Sequence, residues 1–215
     1  MARVESRLLQ AEEKASANTC VAGRPKRATT LNAVVFGANG GIGSALARGL
    51  AQRSDDKARY AYETVFGVAR QPFELNGVVP IIINAYDDES LKATAAEISA
   101  AGPPTLCICA TGLLSGGSSK RLKPEKSYKQ QTAAAFEEVF FANTIIPALI
   151  AKHFLPIMPR RQRAVFGALS ARVGSISDNG LGGWHAYRAS KAALNMLIKN
   201  YGCLLYTSPS PRDRG

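Results

Sequence analysis

The chain predicts an α/β fold, a doubly wound parallel sheet with helices on both faces, and three observations carry that prediction. Short apolar runs alternate with longer helical stretches from residue 31 onward. The first run ends in a glycine-rich turn that opens directly into a helix. Prolines and glycines fall mostly between the segments, where they punctuate them. Strands alternating with helices imply a parallel sheet, and right-handed crossovers wind it on both faces.

The elements follow in order. Leu31–Phe36 is the first strand, followed by the turn Gly37-Ala38-Asn39-Gly40-Gly41-Ile42-Gly43 and a helix from Ser44 to Arg53. Thr64–Ala69 is the second strand and Val78–Asn84 the third. Asp87-Asp88-Glu89-Ser90 then starts a helix that runs through Ala101. Pro103 and Pro104 break it ahead of a fourth strand, Leu106–Ala110. A basic loop leads to a long helix from Ala133 to Pro156, and Ala164–Leu169 is the fifth strand. A Gly- and Ser-rich connection then precedes a last helix near Tyr187. Residues 1–30 lack this periodicity and read as a flexible extension. They hold no apolar segment of the secretory type, and Glu5, Glu12 and Glu13 argue against an organelle leader, which avoids acids. The segment from Cys203 to Gly215 breaks the helical pattern and is similar to translated sequencing adaptor, so residues 31–202 are expected to form the domain and 203–215 a non-native tail.

A chain of 215 residues that is 46% apolar and 20% charged suits one globular core. The longest apolar run, Thr144–Phe154, is interrupted by Pro147, Lys152 and His153 and falls short of the roughly 18 residues of a membrane span. The formal charge of +11 gathers in Arg24–Arg27, in Lys120–Lys129 and in Arg160–Arg163. No aromatic platform is interleaved there, so solvated surface charge is expected and nucleic acid is not. Four cysteines at this length are no disulfide framework. Cys107 and Cys109 share one strand face. With no second pair and no nearby histidine they read as buried reduced thiols, not metal ligands, which fits a cytoplasmic compartment.

Three motifs carry chemistry. Gly37, Gly41 and Gly43 stand at positions one, five and seven of the turn, where glycine permits a tight bend and close approach to a pyrophosphate at the helix N-terminus. No Lys-Ser or Lys-Thr follows, which disfavours a triphosphate loop. The second strand ends Ala69-Arg70-Gln71 without a carboxylate for the adenosine ribose. The Arg70 guanidinium can pair with a 2′-phosphate, favouring NADP over NAD, although a solvated loop charge would look the same. Tyr187 and Lys191 lie four apart on one helix face. A free phenol near pKa 10 needs a neighbouring ammonium to move a proton near neutrality, and Lys191 is placed to supply it.

Together with Asn143 these residues resemble the short-chain dehydrogenase/reductases, which carry a Rossmann-type sheet. Leu169 to Asn179 and Gly182-Gly183-Trp184 resemble the carbonyl-reductase-like branch that includes C-factor and sniffer. The resemblance implies an NADP(H)-dependent oxidoreductase interconverting a small-molecule carbonyl and an alcohol. Tyr187 is then the general acid/base and Lys191 holds the nicotinamide ribose. Asn143 holds a water, and a serine bonds the carbonyl oxygen. Gly37, Asn39, Gly40, Gly41, Ile42, Gly43, Arg70, Asn84, Ala110, Thr111 and Gly112 line the cofactor, together with Asn143, Tyr187 and Lys191.

The chain departs from the pattern in four places. Phe36 replaces a threonine before the first glycine, and Cys109-Ala110-Thr111-Gly112 replaces an Asn-Asn-Ala-Gly signature. Asn84 stands where an aspartate meets the adenine. Family spacing puts the serine near Ala171, leaving Ser175 as the first choice and Ser170 as the second. Family members continue for on the order of 50 residues beyond this point, so the last strands of the sheet are expected to be missing and the chain to be aggregation-prone. A full-length form is expected to be a homodimer or homotetramer. The alternatives are a dinucleotide-binding regulatory protein with little turnover, or an inactive fragment.

Overall fold

The structure, a computed structural model, describes residues 31–52, 61–117 and 122–206. The expectations for residues 1–30 and for 207–215 lie outside them. Five parallel strands, β1 (Asn32–Phe36), β2 (Thr64–Ala69), β3 (Val78–Ile82), β4 (Pro104–Cys109) and β5 (Val165–Ala168), line up as β3-β2-β1-β4-β5. That is the doubly wound order through its fifth strand. Both Ala33–Val65 and Ala33–Leu106 are register partners, so β1 sits between β2 and β4 and is buried along its whole length.

Alternation along β1 divides the core between two faces. Ala33 and Val35 point to one, with Val65, Val78 and Ala47 of α1 (Gly41–Ala51). Val34 and Phe36 point to the other, against Leu91 and Ile98 of α2 (Asp88–Ala101) and Ile146, Ile150 and Phe154 of α4 (Ile146–Phe154). Phe154 meets Phe36 edge-on, with ring centroids 4.9 Å apart, a geometry that aromatic quadrupoles favour. Cys107 and Cys109 are free thiols buried in this second layer, and burial pushes the Cys107 thiol well up. Pro80 is tolerated in β3 because that strand is an edge, and Pro104 because it opens β4.

Helix bounds differ from the sequence reading at informative points. Helix α1 begins at Gly41 rather than Ser44, since Gly40 takes the N-cap position. The long helix is not continuous. Its first part, α3 (Ala133–Phe140), passes into a π turn, Phe141–Ile145, before α4. Pro147 has no N–H to return to the Asn143 carbonyl four residues back, and the wider turn absorbs that break in the ladder. The last helix, α5 (His185–Tyr206), begins near Tyr187 as expected but continues past the break expected at Cys203, because nothing between Gly202 and Tyr206 obstructs helical backbone.

The stretch Ala133–Ile157 is long and apolar enough to cross a membrane by length and composition. Its uninterrupted apolar run is shorter, because scattered polar residues divide the segment. In this fold it is the core helix: Ile150 and Phe154 pack on the sheet, and Thr144 donates a buried hydrogen bond to Ser190 O at 2.9 Å.

Candidate active site at the carboxyl ends of the strands

The carboxyl ends of β1, β2 and β4 meet at the glycine turn. The Gly37 N–H and the Ala38 N–H both donate to Val68 O, at 2.8 and 3.2 Å, and Gly40 N donates to Gly37 O at 3.0 Å. Gly37 has φ +78°, and a Cβ there would come within 3.1 Å of the Ala110 backbone. A Cβ on Gly43 would come 2.1 Å from Gly37 O, so no side chain fits between helix and turn. Asn39, Gly40, Gly41 and Ile42 are all exposed, and no side chain caps α1. Its free N-terminal N–H groups therefore face solvent, as an anion-binding helix end requires.

This region fits a dinucleotide on its own chemistry. Thr111 Oγ1, just past β4 and beside Gly37, is buried without a hydrogen-bond partner, and such an orphan favours a ligand that can meet it. Gly112 is exposed, and a Cβ there would stand 3.4 Å from Asn143 Oδ1 and 3.6 Å from Lys191 Nζ. Exposed Gly112 thus lies close to both polar groups.

Asn143, fully buried in the π turn, ties the chain just past Gly112 to α5. Its Oδ1 accepts from Leu113 N at 2.7 Å, and its Nδ2 donates to Leu113 O at 2.8 Å and to Ser190 Oγ at 3.0 Å. Ser190 Oγ in turn donates to Tyr187 O at 2.8 Å. Lys191 is 3% exposed and donates to Leu169 O at 2.7 Å, with its Nζ 5.8 Å from the Tyr187 ring centroid. Gly174 leaves the room Lys191 needs, since a Cβ there would lie 2.8 Å from the Lys191 Cβ. Burial raises the Tyr187 pKa and lowers that of Lys191. The phenol is thus held protonated at neutral pH, which suits a proton donor, and the lowering expected from Lys191 does not occur.

The remaining residues named from sequence lie around this centre. Arg70 is exposed just beyond β2, its guanidinium 6.0 Å from the ring of Tyr86. Tyr86 is buried beside the turn, and its pKa is pushed up to about 12 by that burial. Asn84 is exposed beyond β3. Neither serine hydroxyl bonds Tyr187 or Lys191. Ser170 Oγ donates to Asn195 Oδ1 at 2.6 Å, while Ser175 Oγ lies 3.3 Å from Ser177 Oγ and accepts from Asp178 N. Ala171 stands between them at the start of a short 3₁₀ turn.

Two buried residues escaped sequence reasoning. Ser190 was visible within Tyr187-Arg188-Ala189-Ser190-Lys191, three residues after the tyrosine, but spacing alone gave it no partner. Glu125 sits among Lys123 and Lys126 and read as surface charge, yet it is 5% exposed and its carboxylate accepts from Ala186 N at 3.4 Å.

A doubly wound sheet with a glycine turn at β1 and a Tyr–Lys helix after β5 defines a nucleotide-binding oxidoreductase class. The family model described as short chain dehydrogenase matches residues 31–208, and the chain belongs to that family. Among solved structures it is 27% identical to an NADPH-bound carbonyl reductase from chicken fatty liver, with a TM-score of 0.65, covering 81% of this chain and 74% of that one. The carbonyl reductase Sniffer of D. melanogaster is 20% identical with a TM-score of 0.69, the match covering 83% of this chain and 76% of that one. A carbonyl reductase from Pseudomonas aeruginosa PAO1 is 22% identical with a TM-score of 0.63, over 80% of this chain and 75% of that one. The last two likenesses speak to the fold alone. No match was found among curated proteins.

Proposed function

We propose that this chain is an NADP(H)-dependent oxidoreductase that interconverts a small-molecule carbonyl and an alcohol. The observation that carries the reading is the approach of Asn143 Oδ1 and Lys191 Nζ to exposed Gly112, with Lys191 Nζ 5.8 Å from the Tyr187 ring centroid. The nicotinamide supplies or accepts the hydride; the protein supplies placement and protons. The glycine turn and the N-terminus of α1 hold the pyrophosphate, and Thr111 Oγ1 bonds the bound cofactor. Arg70 selects the 2′-phosphate, with Asn84 near the adenine. Tyr187 gives its proton to the carbonyl oxygen in reduction and takes it back in oxidation. Lys191 holds the ribose and stabilises the phenolate once it forms, and Asn143 anchors the water that resupplies the proton.

A second reading, a dinucleotide-binding regulatory protein with little turnover, is favoured by one observation: Ala171 stands near the serine position while Ser170 and Ser175 are engaged elsewhere. NADPH consumption over a carbonyl panel separates the two. Tyr187→Phe should cut turnover by roughly 10²- to 10⁴-fold, the usual worth of a general acid, with NADPH affinity unchanged. Turnover that survives in that variant would sink the enzyme reading. Buried reduced Cys107 and Cys109 support a cytoplasmic setting. Exposed Phe141, Ile145 and Met196 support a homodimer or homotetramer formed through the α3–α4 and α5 faces.

A further inference from the structure

Helix α5 is entered through a turn that breaks two local rules immediately before Tyr187. Gly182, Gly183 and Trp184 adopt φ of +66°, +68° and +51° in succession. Glycine takes such angles freely, whereas for a bulky side chain they are strained. Among the described residues Trp184 alone does so without being glycine. It also occupies the capping position of the helix, its carbonyl accepting from Arg188 N at 2.8 Å, where small polar residues are preferred.

The strain is held in place by Glu125. Its backbone carbonyl accepts from Trp184 N at 2.6 Å and its buried carboxylate accepts from Ala186 N at 3.4 Å, so one residue grips the turn on both sides of His185. A Cβ on Gly183 would come 3.3 Å from that same carbonyl. The outcome is an indole set edge-on to the Tyr187 ring, with centroids 6.3 Å apart and planes at 74°. The indole is not sealed in the core; Trp184 keeps 40% of its surface exposed. Ile176 and Leu181, on the connection leading to it, are 87% and 95% exposed. Backbone strain gathers at functional sites when the surroundings enforce it, and here the enforced product is an aromatic face next to the proton donor.

We propose that Trp184 is a specificity-determining residue and that the substrate class is ketones or aldehydes bearing an aromatic ring beside the carbonyl. This rests on the oxidoreductase reading above. A carbonyl held at the Tyr187 hydroxyl puts its substituent next to the indole, and a flat ring gains stacking or edge contact that a saturated ring of the same size does not.

The test compares acetophenone with cyclohexyl methyl ketone on the full chain with NADPH. The ratio of their kcat/KM values should fall roughly 2- to 13-fold in Trp184→Gly, the range an aromatic pair is worth. Glycine removes the ring while accepting the left-handed backbone, so the turn survives. Trp184→Phe should restore most of the ratio. An unchanged ratio in Trp184→Gly, or an equal loss for both ketones, overturns the proposal and leaves the indole a structural element. Trp184 is the one tryptophan of the chain, so its fluorescence reports binding without turnover. In the NADP⁺ complex, saturable quenching should give a Kd for acetophenone at least about twofold tighter than for the saturated ketone. Equal constants, or no saturation, overturn the proposal. A chain that shows this difference but reduces neither ketone upholds the aromatic site and refutes the proposed activity.

Discussion

Asn143→Ala is the most informative single perturbation of the site's frame. The side chain is fully buried and makes three hydrogen bonds: two with the Leu113 backbone at 2.7 and 2.8 Å and one with Ser190 at 3.0 Å. Each is worth about 1 kcal/mol net. The Leu113 groups are only part-buried, so water recovers some of what they lose, whereas Ser190 is sealed in and keeps its penalty. The sum is about 3 kcal/mol, which in a domain of this size lowers Tm by about 6–12 °C. Urea unfolding followed by circular dichroism measures the first figure, and a thermal scan the second. Ser190→Ala removes one of the three bonds and should cost about 1 kcal/mol. The double variant should cost less than the two singles added, since they share that bond. A loss below about 1 kcal/mol for Asn143→Ala with an unchanged denaturant slope would mean that Leu113 and Ser190 re-pair without it. The frame argument would then be wrong.

Other outcomes follow from the same geometry. Burial lowers the Lys191 pKa from 10.5, so the unfolded chain holds that proton more tightly. Wild-type stability relative to Lys191→Met should therefore rise as pH climbs through the lowered pKa toward 10.5, readable from urea midpoints. A flat difference would refute the burial cost. Asp88 accepts from Lys152 Nζ and from His153 Nε2, both at 2.6 Å, which hold its carboxyl below 3.8. Its contribution is present above that value and fades as pH falls through the depressed one. The wild-type advantage over Asp88→Asn should shrink in acid, and a gap that widens there would contradict the pairing. Arg70→Ala should weaken NADPH by about 10- to 150-fold, the worth of hydrogen bonds to a charged phosphate, and leave NADH within a few-fold. Equal loss of both cofactors would return Arg70 to a solvated loop charge.

Most of the fold was legible because each strand is a short apolar run with a punctuating residue at its end. The Gly37–Gly43 turn and the Tyr187–Lys191 pair were legible for a related reason, since spacing alone puts the glycines in one bend and the two side chains on one helix face. What escaped depends on contacts far apart in sequence or on backbone angles. Glu125 is charged and flanked by lysines, and only its reach of 61 residues to Ala186 makes it interior. The π turn is invisible in Phe141-Ala142-Asn143-Thr144-Ile145, which is ordinary helical sequence until Pro147 withholds its N–H. Nothing in the letters marks Trp184 as left-handed. The serine stayed ambiguous because Ala171, near the family position, has no oxygen to offer, and its two neighbours are both plausible by spacing.

The placement of buried polarity argues for the site independently of any resemblance. Eight polar or charged residues are buried among those described: Asn32, Thr94, Thr105, Glu125, Asn143, Thr144, Ser190 and Lys191. The first three serve the frame alone, as when Asn32 Nδ2 donates to Gly102 O at 2.9 Å and Thr94 bonds its own helix. The other five lie on or against the first two turns of α5. A fold that needed only to be stable would fill those positions with apolar groups, because burying a polar group costs free energy unless every bond is met. Here the cost is met bond by bond: Glu125 to Ala186, Asn143 to Ser190, Thr144 to Ser190 O, Lys191 to Leu169 O. Tyr187 is at the centre of the group, and Ser190 bonds its backbone carbonyl, not its phenol. These bonds fix a helix without engaging the Tyr187 phenol, and that arrangement makes sense for a residue that must trade a proton with a ligand.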